Sequence, residues 1–147
     1  MKKKNSTAQL KKVKFDNKYF KDPKIKKIYL TFKKQLYSQI KNEKFCIGVS
    51  GGPDSLALAF LSKIFSKEFN SKFIALIIDH NLRKQSGIEA QKVKIILTKH
   101  KIRAKILTWK GKIPKSNIQF NARNIRYFLL NNECSKLNIK NLVLAHH

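Results

Sequence analysis

The stretch Cys46–Leu61, CIGVSGGPDSLALAFL, decides how this 147-residue chain folds. Its first part, FCIGVS over 45–50, is short and almost wholly apolar, as expected of a strand buried on both faces. Its last part, DSLALAFLSKIF from Asp54, changes to a helical period. Between them stand Ser50, Gly51, Gly52, Pro53, Asp54 and Ser55. A loop joining the carboxyl end of a strand to the amino end of a helix is where open α/β sheets bind ligands. Two residues without Cβ let the backbone take unusual dihedrals and approach a ligand closely. The helix start offers N–H groups and positive potential suited to phosphate. Proline at the first helical position costs little, and the two serines add hydroxyls. Asp54 is the odd member. A carboxylate beside a phosphate cradle is repulsive unless a cation such as Mg²⁺ stands between them; its plainer role is to cap the helix.

Outward from this loop, strand and helix signals alternate. FIALIID (73–79), AKILTW (104–109) and NLVLA (141–145) read as three more strands. Ser86-Gly-Ile-Glu89 has capping-box spacing at the start of a helix carrying Val93, Ile96 and Leu97. A Gly/Pro-bearing loop, KGKIPKS, leads into a longer helix from about Asn117 to Leu137. Upstream, Ile25, Ile28, Tyr29, Phe32, Leu36 and Ile40 form one helical stripe from Pro23, expected to pack against the domain. Strands joined by crossover helices require an open parallel sheet with helices on both faces, an α/β fold. Residues 1–22, lysine-rich and without a period, read as a basic flexible extension, and 23–147 as one domain.

Composition narrows the partners. Thirty-three lysines and arginines against eight acids give a net charge of +25. Residues 1–44 carry +12 and the remainder +13, so the excess is not confined to a tail. A polyanionic partner fits such a surface. Only four of the basic residues are arginines, a bias that an AT-rich genome also writes on a solvated face, so charge alone leaves both readings open. MKKKNSTAQLKK has no apolar core of a signal peptide, and no run reaches the roughly 18 apolar residues of a membrane span. Cys46 and Cys134 form no CxxC pair and read as reduced, packed thiols of a cytoplasmic protein.

The loop is neither a Walker A motif nor a GxGxxG turn. Ser-Gly-Gly-x-Asp-Ser between strand and helix resembles the PP-loop of the ATP-pyrophosphatase superfamily, with its adenine nucleotide alpha-hydrolase-like fold. Three further stretches, IIDHNLRKQSGIEA, NIQFNARNIRYFLL and LVLAHH, resemble in order and interval those of bacterial tRNA(Ile)-lysidine synthetases. The likeness covers about residues 45–147. GMP synthetases share the loop but lack the Ala-Arg-x-x-Arg-Tyr helix, and tRNA thiolases usually bring cysteine pairs.

This resemblance implies an ATP- and Mg²⁺-dependent ligase. ATP adenylates C2 of the wobble cytidine in a CAU-anticodon tRNA(Ile), and the side-chain amine of L-lysine then displaces AMP. It implies that Ser50, Gly51, Gly52, Pro53, Asp54 and Ser55 hold the nucleotide, that Asp54 holds the metal, and that Asp54 and Arg126 are catalytic. Asp79, His80, Arg83, Arg123 and His146 become substrate or RNA candidates, with Lys84, Asn117 and Gln119 beside them. Each has a plainer alternative: a turn-forming aspartate, a hydrogen-bonded histidine, solvated arginines on a surface helix, an N-cap. Arg123 and Arg126, three apart, are expected on one helix face.

In that family Ala-His-His runs on into an acidic segment and further domains. The expectation is therefore an amino-terminal fragment, its sheet lacking a last strand, with little activity alone. Two alternatives stay open: another PP-loop ATP-dependent ligase, and a non-catalytic basic RNA-binding module.

Overall fold

A computed structural model describes residues 20–145. Eight elements alternate: α1 (Pro23–Ile40), β1 (Phe45–Val49), α2 (Pro53–Phe69), β2 (Phe73–Asp79), α3 (Ser86–Lys99), β3 (Ala104–Thr108), α4 (Ile118–Lys136) and β4 (Asn141–Leu144). Residues 1–19 of the expected extension lie outside the described residues. Phe20 already packs against Tyr29, ring centroids 5.1 Å apart. Asp22 caps α1 by accepting the Lys24 N–H at 2.8 Å, with Pro23 in the first turn.

The four strands form one parallel sheet in the order β3-β2-β1-β4. From β1 the chain steps outward through β2 to β3, then returns across the sheet to place β4 on the other side of β1. Helix placement follows that reversal. Tyr29, Leu36 and Ile40 of α1, Leu58, Ala59 and Phe65 of α2, and Ala90 and Leu97 of α3 pack with Phe45, Ile47, Val49, Ala75 and Ile77 on one face. Leu130 and Cys134 of α4 pack with Cys46, Ile74, Leu76 and Leu107 on the other. Helices thus cover both faces, three against one, and β1 in the middle has to be apolar on both sides.

Phe65 anchors the larger core, edge-on to Phe45 at 6.0 Å and to Phe32 at 6.4 Å. The stripe expected on α1 is narrower than the sequence pattern: Ile25 and Ile28 remain 47% and 58% exposed. Burial on α1 is confined to the turns from Tyr29 onward, at Tyr29, Leu36 and Ile40. The helix instead gains a polar tie, with Tyr29 and Lys33 both bonded to Glu68 of α2.

Both cysteines are free and buried. Burial, reinforced by a bond to Cys134, pushes the Cys46 thiol up to about 12, so both are packing residues and not nucleophiles. Among the described residues no helix is long and apolar enough to cross a membrane.

Candidate functional site

The reversal of strand order falls between β1 and β4, and the loop after β1 opens there. Gly51 sits at φ 91°, a conformation that side chains resist, and an added Cβ would lie 2.6 Å from Val93 Cγ2 of α3. Its neighbour Gly52 has an ordinary extended conformation, φ −71° and ψ 162°, as the N-cap of α2. The two glycines are therefore not equivalent: Gly51 is required by geometry and Gly52 is not.

Ser55 holds the loop in shape. Its buried hydroxyl accepts the N–H groups of Ser50 and Gly51 at 3.2 and 3.1 Å and donates to the Gly52 carbonyl at 2.9 Å. Among the described residues no side chain caps α2. The amides of its first turn therefore keep the positive end of the helix open to an anion. Asp54, in that first turn, is exposed and does not act as the cap.

Beyond the loop lies a pocket of about 270 Å³ over the carboxyl ends of the strands. Its walls include Ser50 from the loop, His80 after β2, Arg83 and Glu89 from the α3 entrance, and Arg126 from α4. Four predicted residues thus converge from segments far apart in sequence. His80 is held neutral: burial lowers its pKa, the positive Arg126 adds to this, and Asp79 opposes both. Among the described residues its buried Nδ1 has no hydrogen-bond partner, which leaves a polar atom in the wall for a ligand to satisfy.

Other predicted residues lie elsewhere. Asp79 is buried, accepting from the Asn81 N–H at 2.9 Å, the Ser86 hydroxyl at 2.7 Å and the Thr108 hydroxyl at 3.4 Å. It shapes the turn that presents His80. Ser86 was expected in a capping box, but its hydroxyl bonds Asp79 and the Arg83 carbonyl, and no side chain caps α3. Glu89 does not reach back to the helix start; it meets Arg83 at 3.2 Å, an exposed pair at the pocket lip. Ser86 lies one residue inside the helix, whose N-cap is Gln85, and its hydroxyl instead donates to the carboxylate at the strand end.

Arg123 and Arg126 part company as well. Arg126 lines the pocket, whereas Arg123 lies exposed over the Tyr127 ring at 5.7 Å. Asn117 precedes α4 at φ 46° without a side-chain cap bond. Asp54 faces a separate, wider hollow of about 810 Å³ between α1, α2 and β4. His146 lies outside the described residues. Val93, against Gly51, and Ser86, on Asp79, shape the site in ways their sequence signals, an apolar helix position and a capping box, did not indicate, because both act through partners brought by the fold.

Known proteins resemble this chain in sequence and in fold. The chain is 41% identical over 107 residues to the tRNA(Ile)-lysidine synthase of Orientia tsutsugamushi, covering 73% of this chain and 24% of that one. It is 40% identical over 109 residues to the Bartonella quintana enzyme of the same name, covering 73% and 23%. It therefore spans about a quarter of the length of the curated relatives it matches. The fold matches the U34-tRNA thiolase of Methanococcus maripaludis with a TM-score of 0.67 at 21% identity, over 83% of this chain and 47% of that one. The PP-loop domain description itself matches residues 25–147. With the glycine loop, the parallel sheet and the pocket at its reversal point all in place, the chain belongs to the PP-loop domain family.

Proposed function

We propose that this chain supplies the ATP-holding part of a tRNA(Ile)-lysidine ligase. The observation that carries the reading is the convergence of Ser50, His80 and Arg126 on one pocket beside the uncapped start of α2. A triphosphate laid across that helix start meets N–H donors and positive potential. Arg126 adds a fixed cation where charge develops as the α–β phosphate bond breaks. The cytidine O2 attacks the α-phosphorus, pyrophosphate leaves, and the lysine amine then forms the C2–N bond as AMP departs with the oxygen.

Magnesium fits this scheme in one form. Among the described residues no group of three or more His, Cys, Asp or Glu side chains could hold an ion. One exposed carboxylate, Asp54, suits an ion carried in on nucleotide phosphates, the usual mode for Mg²⁺. Asp54, at the first turn of α2, would hold such an ion from the side of the loop away from the pocket, and the ion would neutralise phosphate charge.

The PP-loop family match over residues 25–147 supports nucleotide binding by this chain, and that is the step to test first. Calorimetry with MgATP is expected to show binding that Arg126→Ala and Asp54→Ala each weaken about tenfold, the loss of one charge-assisted contact. Lysidine formation from purified tRNA, lysine and ATP is expected to be small. Absence of MgATP binding by the folded chain would overturn the proposal. Binding unaffected by either substitution would move the site elsewhere.

A further inference from the structure

Beside the pocket, α4 carries a surface that nucleotide binding does not use. Ile125, Leu130 and Cys134 are its buried residues. Phe120, Asn124 and Phe128, four apart, share the opposite face, with Arg123 and Tyr127 along its border. Phe120 is 66% and Phe128 55% exposed, a large apolar area to leave in water. Trp109, just after β3, meets Phe128 edge-to-face at 5.9 Å and 89°.

The indole is held firmly. Its ring N–H donates to the Lys112 carbonyl at 3.1 Å. Gly111 passes so close that an added Cβ would lie 2.2 Å from the ring. The Trp109 backbone N–H donates to the Asp79 carbonyl at 2.9 Å, tying it to the strand end that presents His80.

The charge carried by this stretch of chain has one sign. No aspartate or glutamate occurs between Glu89 and Glu133, while Lys110, Lys112 and Lys115 are exposed in the loop leading to α4. A partner that fits must offer flat π faces and negative charge together. Unpaired nucleotides offer both, and a duplex hides its base faces.

We infer that the Trp109–Phe128 surface binds unpaired RNA nucleotides, with bases stacked on Trp109, Phe120 and Phe128 and phosphates against Lys110, Lys112 and Lys115. This deepens the tRNA-modifying reading, on which its relation to the pocket rests: it delivers a single-stranded loop to the carboxyl end of the sheet. Trp109 is the chain's single tryptophan, so its fluorescence reports directly on the surface.

The test is titration with a mixed-sequence single-stranded RNA of about twelve nucleotides, and with a blunt duplex of the same length, a span suited to such surfaces. The single strand is expected to quench Trp109 and to bind about tenfold more tightly than the duplex. Phe120→Ser and Phe128→Ser are each expected to weaken it about fivefold or more, as loss of one stack does. Phe120 makes no ring contact with Trp109, so Phe120→Ser should leave melting temperature and the MgATP response at wild-type values. Phe128→Ser also loses the edge contact to Trp109, and its affinity is compared at temperatures well below its own melting point. Equal affinity of variants and wild type, or equal binding of duplex and single strand, overturns the inference. So does sedimentation showing a dimer that Phe120→Ser dissolves, which would make the face a self-interface. RNA results as expected with no MgATP binding would sink the ligase reading and leave this surface standing.

Discussion

Gly51 and Gly52 are adjacent and identical, yet the fold treats them differently. Alanine at Gly51 combines a positive φ with a 2.6 Å approach to Val93, and is expected to cost about 1–3 kcal/mol. Alanine at Gly52 meets only Ser50 Oγ at 3.7 Å. There the weaker N-cap and the stiffer unfolded chain nearly cancel, within about 0.5 kcal/mol. Urea midpoints of the two variants check the contrast. His80 adds a pH dependence. Its folded pKa lies below the ordinary 6.5 because burial and Arg126 disfavour the cation. The unfolded chain then binds the proton first, so stability is complete above about pH 7 and declines as pH falls through 6.5. His80→Gln should flatten that part of the decline, read as melting temperature between pH 5 and 7.5.

At the level of elements, the join between β3 and α4 contains a conflict the sequence does not announce. Glu133 is 5% exposed on the sheet-facing side of α4, and Lys105 of β3 reaches it at 2.6 Å. Lys105 is half exposed, so the pair is intermediate between a surface and a buried salt bridge. Lys105→Met should cost about 1–2 kcal/mol by leaving a buried carboxylate alone. Lys105→Met combined with Glu133→Leu should recover most of it, since matched apolar replacement is often neutral. A double-mutant cycle from denaturant curves measures the coupling. Helix existence and order were legible: Asp22-Pro23, Pro53 and the 3.6 periods mark starts and faces. The capping box at Ser86 misled, because a spacing rule weighs only neighbours in sequence while Asp79 arrives from the end of β2.

For the whole molecule, the nucleotide proposal makes a thermodynamic demand. A ligand at a hundred times its dissociation constant stabilises the folded state by about 2.7 kcal/mol. For a domain of this size that corresponds to a rise in melting temperature of roughly 5–10 °C. MgATP should produce it, and chelating the magnesium should remove most of it. An unchanged melting curve at millimolar MgATP would contradict nucleotide binding at the β1 loop. The pocket that underlies this demand exists because the chain steps out to β3 and then returns past β1 to β4, separating α4 from the other three helices.

The sequence by itself determined the alternation of strands and helices, the buried character of β1 and the loop that follows it. These are local matters, written in period, in proline and glycine positions and in one short motif. Only the tertiary structure decided that Ser50, His80, Arg83 and Arg126 share a pocket while Asp54 and Arg123 stand outside it. It alone assigned Asp79 and Ser55 to holding turns and Gly51 to its contact with Val93. The reason is physical: a side chain's role depends on what packing brings within a few ångströms, and for Gly51, His80 and Arg126 those neighbours come from elements distant in sequence.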